Sequence, residues 1–227
     1  MVKAIIFDLD DTLISERGYI KSGYYHIARL LSNRYNEDEE KLYNLLSELF
    51  NDNPRYIFNR LFDKLGIAYT KSDILEMVNE YRNHSPRISF YSDVLPFINL
   101  LKKRYIKTGI ITDGYANAQH QKLKAVQANN HFDEIIVTDD LGKNYWKPHP
   151  MPFEIMKEKL NVSFDEMVYI GDNPEKDFYI SNIYPIKAVR IIRNDSVYKN
   201  ASYYKAVQAS FKINSLSDLN THLIGEK

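Results

Sequence analysis

Ile5-Ile6-Phe7-Asp8-Leu9-Asp10-Asp11-Thr12-Leu13 sets an apolar run directly against a cluster of acids. A strand buried on both faces loses the alternating pattern and reads as a continuous apolar run. Acids one residue apart at the end of such a strand are costly without a task. Like charges raise one another's pKa, and a cation relieves the strain. The plain alternative is a loop of acids capping the start of a helix. The same punctuation recurs along the chain. Thr108-Gly109-Ile110-Ile111 meets Thr112-Asp113-Gly114, and Glu134-Ile135-Ile136-Val137 meets Thr138-Asp139-Asp140. Met167-Val168-Tyr169-Ile170 meets Gly171-Asp172, and Ala188-Val189-Arg190-Ile191-Ile192 is a further strand candidate.

Helical spacing lies between these runs. Val94, Phe97, Ile98 and Leu101 precede the second, and Phe153, Met156 and Leu160 follow Pro150 and Pro152, which suit a helix start. Strand–helix–strand alternation predicts an α/β fold with a parallel, doubly wound, Rossmann-like sheet. Ligands of such sheets collect at the C-terminal strand ends, where all the polar clusters fall. Residues 16–87 differ, having no strand-like run. Ile20, Tyr24, Ile27 and Leu31 keep helical spacing, as do Leu42, Leu45 and Leu49, and Phe58, Leu61, Phe62 and Leu65 before Gly66, a C-cap candidate. Thr70 with Asp73 resembles a capping box before Ile74, Met77, Val78 and Tyr81. The expected division is an α/β core of residues 1–15 and 88–227 and a small all-helical cap of residues 16–87. The Tyr- and Ser-rich stretch after Asn194 has too weak a pattern to assign.

Composition narrows the function. The 227 residues carry 30 Lys and Arg against 30 Asp and Glu, so the formal net charge is zero. That balance argues against a broad nucleic-acid footprint, which needs excess cations. Cysteine is absent, which excludes disulfides, thiolate metal sites and a cysteine nucleophile. No apolar run approaches the ~18 residues of a membrane span, and Asp8 interrupts the N-terminal apolar run too early for a signal peptide. A cytoplasmic protein with neither nucleic-acid nor membrane partner is expected.

Three strand ends together offer carboxylates for a hard cation (Asp8, Asp10, Asp172, Asp177), and hydroxyl and main-chain donors (Thr112-Asp113-Gly114). Lys147-Pro148 adds a cation. This is a phosphate-handling constellation. The order Asp8-Leu9-Asp10-Asp11-Thr12, then Thr112, then Lys147-Pro148, then Gly171-Asp172 with Asp177, resembles the four motifs of the haloacid dehalogenase superfamily. The resemblance spans the whole chain, with the helical insert where that family carries its cap.

The resemblance implies roles. Asp8 would be the nucleophile that takes up the phosphoryl group. Asp10 would protonate the leaving group and then activate water. Mg²⁺ would be held by the carboxylates of Asp8 and Asp172 and the main-chain carbonyl of Asp10. Thr112 and the N–H of Asp113 would bind phosphate oxygens. Lys147 would neutralise the nucleophile and the transferring group, and Asp177 would act behind them, on metal or on Lys147. The second motif departs from the commoner Thr/Ser-Asn-Gly by having Asp113. The presence of Asp10 favours phosphate chemistry over carbon–halogen cleavage. The expected activity is Mg²⁺-dependent hydrolysis of a small phosphorylated metabolite, a sugar phosphate first. The chain resembles the branch with N-acylneuraminate 9-phosphatase, nucleotidases and phosphoglycolate phosphatases. A sugar phosphomutase and a catalytically silent binding protein on the same fold are the alternatives. Substrate choice is expected in the cap, with Glu16, Arg17, Tyr19 and Lys21 as polar candidates, or otherwise in a core loop at Tyr115–His120. His149 and Trp146 read as second-rank or packing residues, His26, His84 and His120 have no ligand spacing, and Glu37–Glu40 reads as a solvated helix start.

Overall fold

The computed structural model describes residues 1–220. In chain order its strands and α-helices are β1 (Ala4–Phe7), α1 (Glu16–Tyr35), α2 (Glu39–Asp52), α3 (Ile57–Leu65), α4 (Lys71–Asn83), α5 (Val94–Lys103), β2 (Lys107–Thr112), α6 (Ala116–Ala125), β3 (Glu134–Val137), α7 (Thr138–Leu141), α8 (Met151–Leu160), β4 (Met167–Gly171), α9 (Ile180–Ile183), β5 (Lys187–Ile191) and β6 (Phe211–Ile213). They form two compact units. One comprises residues 1–17 with the chain from Ile88 onward, the other Gly18–Arg87.

The first unit is built on a six-stranded sheet of order β3-β2-β1-β4-β5-β6, parallel throughout. Ala4 stands opposite Lys107 on one side and Met167 on the other, which aligns the C-terminal ends of β1, β2 and β4. The chain steps outward from β1 to β3, then returns and steps outward from β4 to β6. The reversal falls between β1 and β4, the point where doubly wound sheets open a crevice. β1 is buried on both faces, which explains its unbroken apolar run. Ile5 and Phe7 point to one face with Phe97, Ile98 and Leu101 of α5. Ala4 and Ile6 point to the other with Phe153 and Met156 of α8. Phe7 meets Phe97 and Phe132 edge-on, at centroid distances of 6.3 and 5.9 Å.

In the helical unit Thr70 and Asp73 form the expected capping box, and Gly66 ends α3 at φ 66°, a conformation open to glycine. Asp38 caps α2 by accepting from the Lys41 N–H at 2.6 Å. The buried stripe of α2 is Leu42, Leu46 and Leu49, with Leu45 at its margin, a one-residue shift from the spacing read in the sequence. Tyr19 is not a surface residue. It is buried, donates its hydroxyl to Tyr81 O at 3.3 Å and packs on the Tyr81 ring. Among the described residues no helix is long and apolar enough to cross a membrane.

Two regions differ from expectation. The expected loop at Tyr115–His120 is the start of α6. The unassigned stretch after Asn194 returns to the sheet as β6 and docks on the turn after β1. There Asp195 accepts from Ser15 Oγ at 2.5 Å and Tyr91 Oη at 2.8 Å.

Candidate active site

Asp8 leaves the end of β1 with its side chain buried, and β4 ends in Gly171 before the equally buried Asp172 and Asp177. Between them stands Lys147. Its Nζ lies 2.5 Å from Asp8 Oδ1, 2.8 Å from Asp177 Oδ1 and 2.7 Å from Tyr169 Oη, with its side chain closed to solvent. A buried ammonium is costly unless it is paired. Here burial works against its charge, but Asp177 and Asp8 outweigh burial and hold its pKa well above the usual lysine value. Lys147 is a cation throughout the working range.

Three carboxylates share this small volume, and one ammonium does not balance them. Burial pushes Asp8 up to about 6, with Lys147 opposing and Asp177 reinforcing the rise. Burial, Asp177 and Asp8 raise Asp172 well above the ordinary carboxylate range. Ligand atoms of Asp8, Asp172 and Asp177 lie within 4.8 Å of one another. An all-oxygen set with surplus negative charge is the chemistry of a hard divalent cation. Asp177 is already engaged through both oxygens, Oδ1 by Lys147 and Tyr169 and Oδ2 by the Asn173 N–H at 2.8 Å. Asp172 accepts one hydrogen bond, from Ser196 Oγ at 3.0 Å. The donor set therefore fits a cation on Asp8 and Asp172, with Asp177 orienting Lys147.

At the end of β2, Thr112 and Asp113 are buried. The Asp113 carboxylate does not face outward. Oδ1 accepts from the Lys147 N–H at 3.1 Å and Thr138 Oγ1 at 2.7 Å, and Oδ2 lies 3.3 Å from Lys176 Nζ. Burial would raise its pKa, but Lys147 and Lys176 prevail and hold it below the usual range. The departure from asparagine in this motif thus anchors the lysine segment to the strand end.

Asp10 stands apart from the three clustered carboxylates. Its oxygens receive Lys122 Nζ at 2.8 and 2.7 Å and Gln119 Nε2 at 3.0 Å. The turn carrying it is fixed from three sides. Asp11 adopts φ 50°, accepts from the Glu16 N–H at 2.9 Å and from the Val197 N–H at 2.7 Å. Arg193 donates to Thr12 O at 3.2 and 2.9 Å and pairs with Asp93 at 2.7 Å. Glu16, beside Asp10 and Asp11, is pushed up to about 7 by burial and Asp10, with Lys122 opposing.

All seven residues singled out in the sequence thus lie at the C-terminal edge of one sheet. Asp8, Asp113, Asp172, Asp177 and Lys147 form one charged network, and Thr112 joins Asp10 through Gln119. Reading the sequence missed Lys122, Gln119, Lys176, Tyr169 and Ser196. Only Tyr169, inside a strand, and Lys176, inside the fourth motif, left a local signal. His149 accepts from the Met151 N–H at 3.1 Å at the start of α8, and Trp146 Nε1 donates to Asp139 at 3.1 Å, so both serve local structure.

Known proteins resemble this chain. The chain is 29% identical over 203 residues to a glyceraldehyde 3-phosphate phosphatase of Methanopyrus kandleri, covering 85% of each. It is 26% identical over 223 residues to the pyrophosphatase PpaX of Bacillus cereus, covering 96% of this chain and 94% of that one. A crystal structure of a HAD phosphatase from Thermococcus onnurineus superposes with a TM-score of 0.62 at 27% identity, over 99% of both chains. A 2-haloacid dehalogenase from Pseudomonas syringae shares the fold, with a TM-score of 0.63 at 20% identity over 96% of both chains. A family model described as haloacid dehalogenase-like hydrolase matches residues 5–191. With that match running from β1 to the end of β5, the chain belongs to the haloacid dehalogenase-like hydrolase family.

Proposed function

We propose that this hydrolase is a Mg²⁺-dependent phosphatase of small phosphate esters, sugar phosphates first, working through a phosphoryl group carried on Asp8. The observation behind this reading is the Lys147 ammonium, 2.5 Å from Asp8 and 2.8 Å from Asp177 inside a closed acidic cluster. A carboxylate is a poor nucleophile toward a phosphate dianion because like charges repel. Lys147 removes part of that repulsion and stabilises equatorial charge in a loose transition state. Mg²⁺, held by Asp8, Asp172 and the main-chain carbonyl of Asp10, would supply further charge neutralisation.

Thr112 and the Asp113 N–H bind phosphate oxygens, and Asp8 Oδ attacks phosphorus. As the phosphorus–oxygen bond to the leaving group breaks, Asp10 gives that oxygen a proton. Water then attacks the phosphoryl group, Asp10 takes its proton, and inorganic phosphate leaves with Asp8 regenerated. Splitting one displacement into two lowers each barrier.

The test is phosphate release with and without chelator across glyceraldehyde 3-phosphate, hexose phosphates, phosphoglycolate, nucleoside monophosphates and pyrophosphate. Chelator-sensitive release from a sugar phosphate above the rest is the expected result. Preference for pyrophosphate would move the substrate to phosphoanhydrides. Release unaffected by chelator would contradict the metal.

A further inference from the structure

Two residues of α6 unused in this scheme are aimed at Asp10. Lys122 is only 5% exposed, and its Nζ reaches both Asp10 oxygens, at 2.8 and 2.7 Å. Gln119 is 1% exposed, and its Nε2 lies 3.0 Å from Asp10 Oδ2 and 2.5 Å from Thr112 Oγ1. Asp10 Oδ2 and Thr112 Oγ1 can both accept, so the amide turns its NH2 face toward them, and its two hydrogens match these two acceptors. Gly114, at φ 139°, leaves room for this amide, since a Cβ there would come within 3.1 Å of Gln119 Cδ and Oε1. Burying a lysine and an amide costs desolvation and rotamer entropy that an apolar pair on the same helix face would not.

We propose that Gln119 and Lys122 are positioning residues that hold the Asp10 carboxylate in register with Thr112, so that the proton reaches the leaving oxygen in line. This rests on the phosphatase reading above. The double contact from Lys122 stops the carboxylate from rotating about its own bond. Gln119 ties the same carboxylate to the hydroxyl that receives the phosphate. Because Thr112 Oγ1 accepts from Gln119, its own hydrogen is left to donate to a phosphate oxygen. A general acid must lie within hydrogen-bond reach of the oxygen it protonates, and a misplacement of about 1 Å can cost about 10²-fold.

The test compares wild type, Lys122→Met, Lys122→Arg and Gln119→Leu on an alkyl phosphate and on an activated aryl phosphate at saturating Mg²⁺. An alkoxide needs a proton to leave and an activated phenolate does not, so only the first reports on Asp10 placement. Lys122→Met is expected to lower alkyl kcat/KM by ~10- to 100-fold and the rate of the phenolate burst by less than about 3-fold. Lys122→Arg should recover part of the alkyl rate. Gln119→Leu should show the same contrast and also raise KM for both substrates, as Thr112 loses its partner. Equal loss on both substrates, or no loss, would overturn the proposal while leaving the phosphatase reading intact. A wild type that releases no phosphate from either substrate would overturn both. Should Lys122→Met fail to fold, the Gln119→Leu contrast decides. Failure of both to fold would make the pair structural and end the proposal.

Discussion

Asp8 is the residue at which stability and chemistry oppose each other. Burial holds its proton to about pH 6, so its ionised form is costly in the metal-free fold. Asp8→Asn is therefore expected to abolish turnover while keeping or raising the melting temperature near pH 8, since an isosteric amide removes one of three crowded carboxylates. Residual turnover above a trace, measured with phosphate release, would remove Asp8 from its role. Lys147→Met is the opposite case. It strands Asp8 and Asp177 without their cation, and loss of one partner of a buried pair typically costs about 3–5 kcal/mol, readable by denaturant unfolding. The pH dependence has a definite sign. Asp8 binds its proton up to about pH 6 when folded, against 3.8 for the free side chain, and Glu16 up to about 7 against 4.5. Between those values the folded state holds more protons than the unfolded one, so stability in chelator falls as pH rises from about 4 to about 7. Thermal melts should show that fall, and Mg²⁺ should raise the melting temperature more near pH 8 than near pH 5. A metal-free enzyme that gains stability over that window would contradict the buried charge balance.

Each strand end acts as a small device, and β4 shows how little room it has. A Cβ at Gly171 would lie 2.5 Å from Asp177 Oδ2 and 2.7 Å from its Cγ. Gly171→Ala must push Asp177 off Lys147, and is expected to cost about 1–3 kcal/mol and most of the activity, checked by melts and phosphate release in parallel. In the helical unit, Thr70→Ala removes the capping box of α4 and should cost about 0.5–2 kcal/mol by denaturant unfolding. That cap was legible because four consecutive positions encode it. The strands of the sheet centre were legible for the same reason: β1 and β4 are continuous apolar runs ending in their own functional residues. α6 was not. Its buried face is Ala118, Gln119, Lys122 and Leu123, half polar, so the apolar period that marks a helix is interrupted by the residues that reach Asp10. β6 spans Phe211–Ile213 and is buried only at Ile213, too short a signal to read.

Across the whole core, what the sequence concealed was partnership between distant segments. Asp8, Thr112 and Asp172 each sit in a local motif at a strand end, where the parallel register gathers them, and Lys147 reaches them from its own motif just before α8. Lys122, Gln119 and Ser196 reach the site from helix faces and loops 24 or more residues from, or on the far side of a turn from, the groups they serve. No local pattern announces such contacts, because the fold alone makes them. Asp195 and Val197 come from the stretch with no readable periodicity and still brace the turn after β1, and Ser196 beside them donates to Asp172 after β4. The reaction assembled from these parts stands on a phosphoryl group bound covalently to Asp8. The direct measurement is acid-quenched peptide mass spectrometry of Asp10→Asn during turnover of an activated aryl phosphate with Mg²⁺. That variant should take up the phosphoryl group and fail to activate water. The expected result is one added phosphoryl group on the peptide containing Asp8, released by hydroxylamine. Phenolate release with no phosphorylated peptide, or a phosphoryl group on another residue, would contradict it.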